Sequence, residues 1–262
     1  MESQLQHYVP AFHLRQFAQV PQPVNGKVNT DRYAVGVSTI DNKGSAVHNP
    51  RANTTKVAAE YNIYDKYSSE DYDIEFLLSR IESSISTSMP RIIKSASTSS
   101  EVELNHKEHR RLGAYLASLV ARQPSNLANG VSEDIISDIS GIERVRLDIH
   151  LGEFLTALFD MKYNVLFEDA RFIRSAQPMA LPLDNPIVLE DRTVVVALST
   201  YIAFTGTYRV VKNGLPTGVT IPVVGANDYF TTLRPLAYRK GVDNSYAYNT
   251  EFVYNIKNKL RG

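Results

Sequence analysis

Apolar positions recur along the middle of this chain at helical spacing and toward both ends at strand-like spacing. After Ser68-Ser69-Glu70-Asp71, which supply cap candidates and first-turn acids, Ile74, Leu77, Leu78, Ile81, Ile85, Met89 and Ile92 fall three and four apart. That pattern predicts an amphipathic helix with a kink at Pro90. A second helix is expected from about Glu101 to Arg122, with Leu112, Tyr115, Leu116, Leu119 and Val120 on its apolar face and Pro124 as its stop. From Ser132 the same period runs through Ile135, Ile136, Ile139, Ile142, Val145 and Ile149. Phe154, Leu155, Leu158 and Phe159 extend it past Gly152, which predicts one long helix or two consecutive ones.

Toward the N-terminus, Pro10 suits the first turn of a short helix with Leu14, Phe17 and Ala18 on one face, ending before Pro21 and Pro23. Arg32 to Ile40 reads as a strand, Asp41-Asn42-Lys43-Gly44 as a turn, and Ser45 to His48 as the returning strand of a hairpin. Beyond the helices, strands are expected at Ala170–Arg174, Ile187–Leu189, Thr193–Leu198, Tyr201–Phe204, Tyr208–Val211 and Val219–Val224, with turns at Asp184-Asn185-Pro186, Asn213-Gly214 and Pro216-Thr217-Gly218. A closing helix is expected around Glu251 to Leu260. Strands, then helices, then strands predict a single α+β domain. In it an antiparallel sheet from the N-terminal hairpin and the C-terminal strands packs against a central block of helices. Its parts are the motif and hairpin (1–66), the helical block (67–168) and the β-rich part (169–262).

Composition narrows the function classes. The 262 residues are 43% hydrophobic and 21% charged, as in ordinary globular chains, so global disorder is excluded. Lys+Arg and Asp+Glu both number 28, which leaves no overall field to draw the chain to nucleic acid or an anionic membrane; any such site must be local. With no cysteine there are no disulfides, thiolate metal sites or cysteine nucleophiles, and a reducing, cytoplasmic setting is expected. No apolar run approaches the roughly 18 residues of a membrane span, and the start lacks the features of an export signal.

Candidate chemistry begins in His7-Tyr8-Val9-Pro10-Ala11-Phe12-His13-Leu14-Arg15-Gln16-Phe17, too apolar and ionisable for a frayed end. If a helix starts at Pro10, its free amides, His7 just before them and Arg15 a turn beyond could hold a phosphate or carboxylate. Otherwise Arg15 pairs with an internal carboxylate and His7 bonds a backbone carbonyl. Glu75 and Glu82, seven residues apart, border the apolar stripe of their helix, where a carboxylate either reaches a cleft while its stem packs or only solvates the rim or pairs with Lys or Arg. His106-Lys107-Glu108-His109 lacks the spacing that aims two imidazoles at zinc, and beside Arg110 and Arg111 it reads as a solvated basic helix start. Arg122 suits a helix C-terminus by charge. Asp184 reads either as a turn acid or as a loop-borne acid at a strand end. Phosphate-binding glycine loops, dinucleotide turns, serine-hydrolase elbows and the kinase set are all missing.

The opening motif resembles that of a large, mostly bacterial family, domain of unknown function 4238, whose members begin His-Tyr-Val-Pro-x-Phe-x-Leu-Arg-x-Phe. The likeness continues in Val57-Ala58-Ala59-Glu60-Tyr61-Asn62-Ile63-Tyr64, in the Glu75–Glu82 helix, at Arg122-Gln123-Pro124, where the family shows Arg-Thr-Pro, and at Asp184-Asn185-Pro186-Ile187. Leu181-Pro182-Leu183 stands where the family has Thr-Ser. The resemblance implies that His7, Arg15, Glu82, Arg122, Asp184 and Asn185 gather in one site. The expectation is therefore a hydrolase acting on a phosphate-bearing substrate, a nucleotide or nucleic-acid phosphodiester. Arg15, Arg122 and Asn185 would bind substrate, His7 would be general acid or base, and Glu82 or Asp184 would orient it or bind a divalent ion. The alternative is a non-enzymatic binding or protein-interaction module whose His, Arg and acid set is a structural polar network. The sequence names no cofactor, metal or oligomeric state.

Overall fold

A computed structural model describes residues 4–18, 34–40, 46–56, 58–65, 68, 73–122, 155–156, 158–160, 162, 164–176, 187–188, 193–211, 216–225, 236–237, 244–245 and 247–248. Strand β1 (Leu5–His7) and the one-turn helix α1 (Ala11–Leu14) precede strands β2 (Ala34–Ile40), β3 (Ala46–Asn53) and β4 (Ala59–Tyr61). Helices α2 (Ile74–Ser86) and α3 (Met89–Thr98), strand β5 (Glu101–Asn105) and helix α4 (His106–Ala121) form the middle. Strands β6 (Asn164–Arg174), β7 (Ile187–Val188), β8 (Thr193–Ala197), β9 (Ile202–Val211) and β10 (Gly218–Gly225) follow.

The architecture is α+β, with helices on a mostly antiparallel sheet. That sheet has the strand order β5-β10-β6-β9-β8-β7, and only the β10–β6 pair is parallel. The expected hairpin forms, as β2 against β3, and its return strand runs on to Asn53. It lies in a separate three-stranded sheet in which the C-terminal residues Asn244–Ser245 pair with β2. Strands β1 and β4 make a third, two-stranded unit that carries the opening motif.

Three expectations need correction. The apolar stripe from Ile74 to Ile92 is two helices, because Pro90 lies in the first turn of α3, where a missing N–H removes no bond. Glu101–Asn105 is a strand, not the start of a helix: Val102 and Leu104 are buried while Glu101, Glu103 and Asn105 are exposed, a period of two. Helix α4 starts only after it, at a capping box in which the Asn105 side chain accepts from the Glu108 amide at 3.0 Å and the Glu108 carboxylate accepts from the Asn105 amide at 3.1 Å. Finally, the two short strands expected on either side of Gly206 are one strand, β9. Gly206 faces the bulge of β6 between Glu168 and Arg171, and a Cβ there would lie 3.1 Å from the Phe167 Cβ and 3.2 Å from the Ala170 Cα. Asp169, inside the bulge, has φ +50°.

The core lies between α2, α4 and the sheet. Leu112, Tyr115, Leu116 and Leu119 of α4 meet Ile74, Leu78, Ile81 and Ile85 of α2 on one side and sheet residues such as Val165, Phe172 and Phe204 on the other. Close approach of α4 to β6 depends on Gly113, where a Cβ would run into the Val165 carbonyl. Of the helix expected from Ser132 to Phe159, only Leu155–Thr156 and Leu158–Phe159 are described, and they are helical. The rest of it, and the helix expected at Glu251–Leu260, lie outside the described residues.

Candidate functional site

The opening motif is docked by polar side chains as much as by apolar ones. Gln6, buried in the middle of β1, accepts the Tyr64 amide at 2.7 Å and donates to Asp65 at 3.1 Å. Gln4 and Asn62 close the end of the pair, with the Gln4 amide donating to Asn62 Oδ1 at 2.8 Å and the Asn62 amide to the Gln4 carbonyl at 3.0 Å. Asn62 holds φ +56°, a left-handed conformation that asparagine tolerates. His7 Nε2 lies 3.1 Å from the Thr55 carbonyl. A carbonyl only accepts, so Nε2 carries the hydrogen and Nδ1 keeps its lone pair. Burial pushes the His7 pKa below the ordinary value; the Thr55 bond and the Glu82 charge oppose the shift and the Arg122 charge adds to it.

Six residues on, His13 is buried between two elements. Its Nε2 donates to the Ala197 carbonyl of β8 at 2.7 Å, which fixes the tautomer, so its Nδ1 accepts the Tyr115 hydroxyl of α4 at 2.5 Å. Burial holds the His13 pKa down to about 4, against the Ala197 bond, which raises it. The imidazole stacks on Phe17 with centroids 5.9 Å apart, and Phe12 packs on Tyr115. With a single turn, α1 is too short to sum peptide dipoles into the anion-binding terminus expected at Pro10. Arg15 closes that turn as its C-cap and is half-buried.

Arg122 is the C-cap of α4 and only 1% exposed. Its Nη1 donates to Glu82 Oε1 at 2.6 Å and to the His7 carbonyl at 3.4 Å; Nε donates to the Ser118 carbonyl at 3.3 Å, and Nη2 to Ser118 Oγ at 3.4 Å. The Tyr64 hydroxyl donates to the same His7 carbonyl at 3.0 Å. An anion-holding role for Arg122 does not fit this placement, since its guanidinium points inward to bonds already made. Glu82, its partner, remains 24% exposed. Two turns toward the N-terminus of α2, Glu75 is half-buried, and its pKa is raised by burial first and by the Glu82 charge second, with Arg122 opposing. Burial likewise pushes the Tyr64 and Tyr115 phenols upward.

The structure thus brings His7, Glu82 and Arg122 together, from β1, α2 and the end of α4. Arg15 stands on α1 beside the turn that buries His13, while Asp184 and Asn185, and Gln123-Pro124 with them, lie outside the described residues. His109 is buried rather than solvated as its basic neighbourhood predicts, and His106 Nδ1 donates to the Pro216 carbonyl at 3.1 Å. Among the described residues no three His, Asp or Glu side chains are grouped so as to hold a metal ion, and no helix is long and apolar enough to cross a membrane. Sequence reasoning missed Gln6, Tyr64, Tyr115 and Ser118. A signal for two of them was present: Tyr115, Ser118 and Arg122 are spaced three and four apart and share one face of α4.

A family model described as "Protein of unknown function (DUF4238)" matches residues 5–161, from β1 through the helical residues before β6. The matched span includes His7, Arg15, Glu82 and Arg122 and stops short of Asp184 and Asn185. No curated protein and no solved structure matches the chain.

Proposed function

The chain belongs to the DUF4238 family of proteins of unknown function, and we propose that it is a hydrolase of a phosphate-bearing substrate, a nucleotide or nucleic-acid phosphodiester, working at the face shared by His7 and Glu82. The observation that carries this reading is the Glu82–Arg122 contact of 2.6 Å, in which the arginine is buried and the carboxylate is still open to solvent. Burying an ion pair seldom adds more stability than well-packed apolar residues of similar volume would, because desolvation offsets the attraction. A desolvated pair that presents a carboxylate outward, beside histidine and glutamate side chains with shifted pKa values, fits a site better than a staple.

In this reading His7, neutral at pH 7 because burial lowers its pKa, is the general base through Nδ1. Glu82 stabilises the imidazolium that forms, and Arg122 is a positioning residue that holds Glu82 in place. The test compares the purified chain with His7→Ala and Glu82→Gln on nucleotides and on single- and double-stranded nucleic acids. The expected result is hydrolysis by the wild type and a loss of about 10²- to 10⁴-fold in His7→Ala. Activity that survives both substitutions overturns the assignment.

A second reading, a non-enzymatic binding or interaction module stiffened by the same network, is favoured by one observation: every bond described for the Arg122 guanidinium runs inward. Under it, His7→Ala lowers the melting temperature. A folded His7→Ala chain with an unchanged melting temperature argues against it.

A further inference from the structure

We infer that Phe76, with Arg80 and Phe159 beside it, is a stacking platform for an unpaired base of a single-stranded nucleic acid; the inference names the substrate class of the proposed site and rests on that reading for its placement. Three large aromatic side chains are exposed among the described residues, and Phe76, at 55%, is the one with no hydroxyl to meet water. It takes no part in the core, because the buried stripe of α2 is Ile74, Leu77, Leu78, Ile81 and Ile85. Arg80, one turn on, shares its face. The guanidinium lies 5.8 Å from the Phe76 ring centroid and 5.3 Å from that of half-buried Phe159. Contacts of this kind hold the planar cation in one place before any ligand arrives. Its charge is not neutralised: Arg91, Arg122 and Arg209 each face a glutamate, whereas no carboxylate pairs with Arg80 among the described residues.

The occupant follows from these two halves. An open ring face takes a planar apolar group and the fork beside it takes an anionic oxygen, and each nucleotide of a single strand carries both. In a duplex the bases are already stacked on one another and their faces are closed. A protein interface or a membrane needs a contiguous apolar patch, and here the exposed neighbours on the helix are Ser79, Arg80 and Ser83. With 28 basic and 28 acidic residues the chain has no general pull on a polyanion, so a local site of this sort is what its charge permits. Six residues of helix rise about 9 Å and set Phe76 and Glu82 about 120° apart, with Ser79 and Ser83 on the solvent side between them. A strand laid across those serines keeps one base on the ring while its backbone passes Glu82.

The test uses the full chain, which has no tryptophan of its own, so Phe76→Trp places a lone fluorophore at the platform. Oligothymidylate should quench that fluorescence on binding, and its duplex with oligoadenylate should bind far more weakly. Phe76→Leu keeps the apolar bulk without the π face and should weaken binding of a labelled oligothymidylate by at least about fivefold, while Phe76→Tyr stays near the wild type. Arg80→Gln should lower the slope of log Kd against log salt by about 0.7, the loss of one phosphate contact. Matched melting temperatures check that each variant is folded. No binding by the wild type, equal affinity in the wild type and Phe76→Leu, equal affinity for strand and duplex, or an unchanged salt slope in Arg80→Gln overturns the inference. So does a fluorescence change in Phe76→Trp that follows only the chain's own concentration or anionic vesicles, which makes the ring a contact for a second copy or a membrane. Binding and hydrolysis are read apart. An oligothymidylate bound through Phe76 and never cleaved upholds the platform and sinks the hydrolytic reading, whereas one cleaved equally by the wild type and Phe76→Leu sinks the platform alone.

Discussion

A histidine wedged between a backbone carbonyl and a phenol has one neutral arrangement that satisfies both, and His13 has it: Nε2–H to Ala197, lone pair to Tyr115. Burial penalises the imidazolium and the Arg122 charge adds to the penalty, so the pKa falls from 6.5 to about 4 although the Ala197 bond favours the charged form. The sign of the linkage follows. Above pH 6.5 neither state binds the proton and the contribution to stability is complete; between 6.5 and 4 only the unfolded chain binds it; below 4 the contribution is gone. The whole difference is on the order of 3 kcal/mol. Urea denaturation at pH 7.5 and pH 5.0 should show the wild type losing about 2 kcal/mol at the lower pH. His13→Gln should show a shallower slope, though not a flat one, because burial lowers the pKa of His7 and His109 in the same sense. Equal pH slopes in the two chains would remove His13 from this role.

Helix α4 shows how an element can be locally unfavourable and still required. Gly113 costs about 1 kcal/mol relative to alanine in a helix interior, yet a methyl group there would enter the space of the Val165 carbonyl. Gly113→Ala should therefore destabilise by roughly 1–3 kcal/mol despite the better propensity, as an overpacked interface does. A rise in denaturation midpoint would show that β6 can yield. At the other end of the element, Asn105→Ala should cost about 1 kcal/mol by opening the capping box. These two positions also mark where the sequence was legible. The apolar face of α4 could be read because its period is local, and so could the β2–β3 hairpin. Glu101–Asn105 could not, because five residues of alternating polarity were absorbed into the neighbouring helical pattern and their partner, β10, lies over a hundred residues away. Nor could the His13 bonds be read, since Tyr115 and Ala197 stand 102 and 184 residues beyond it. His7, Glu82 and Arg122 were placed together by family resemblance rather than by spacing, for the same reason.

At the scale of the molecule, Arg122 joins three elements that neither sheet nor helix bonds connect. It reaches Glu82 on α2 and the His7 carbonyl on β1 from the last turn of α4. Removing only the arginine leaves the Glu82 carboxylate without its donor and the His7 carbonyl with Tyr64 alone, so Arg122→Ala should cost about 3–5 kcal/mol. Removing both charges is a different experiment. A chain carrying Arg122→Met and Glu82→Leu replaces the pair with apolar groups of similar size, and because desolvation no longer opposes folding it should recover most of that loss. The double variant separates the two proposed functions. If the network exists to hold the opening motif in place, a chain that regains its denaturation midpoint also regains ligand or partner binding. If it exists to present Glu82 to His7, the chain folds as well as the wild type and its hydrolysis of nucleotides and nucleic acid stays lost. Stability recovered together with activity would mean that the buried pair does no chemistry.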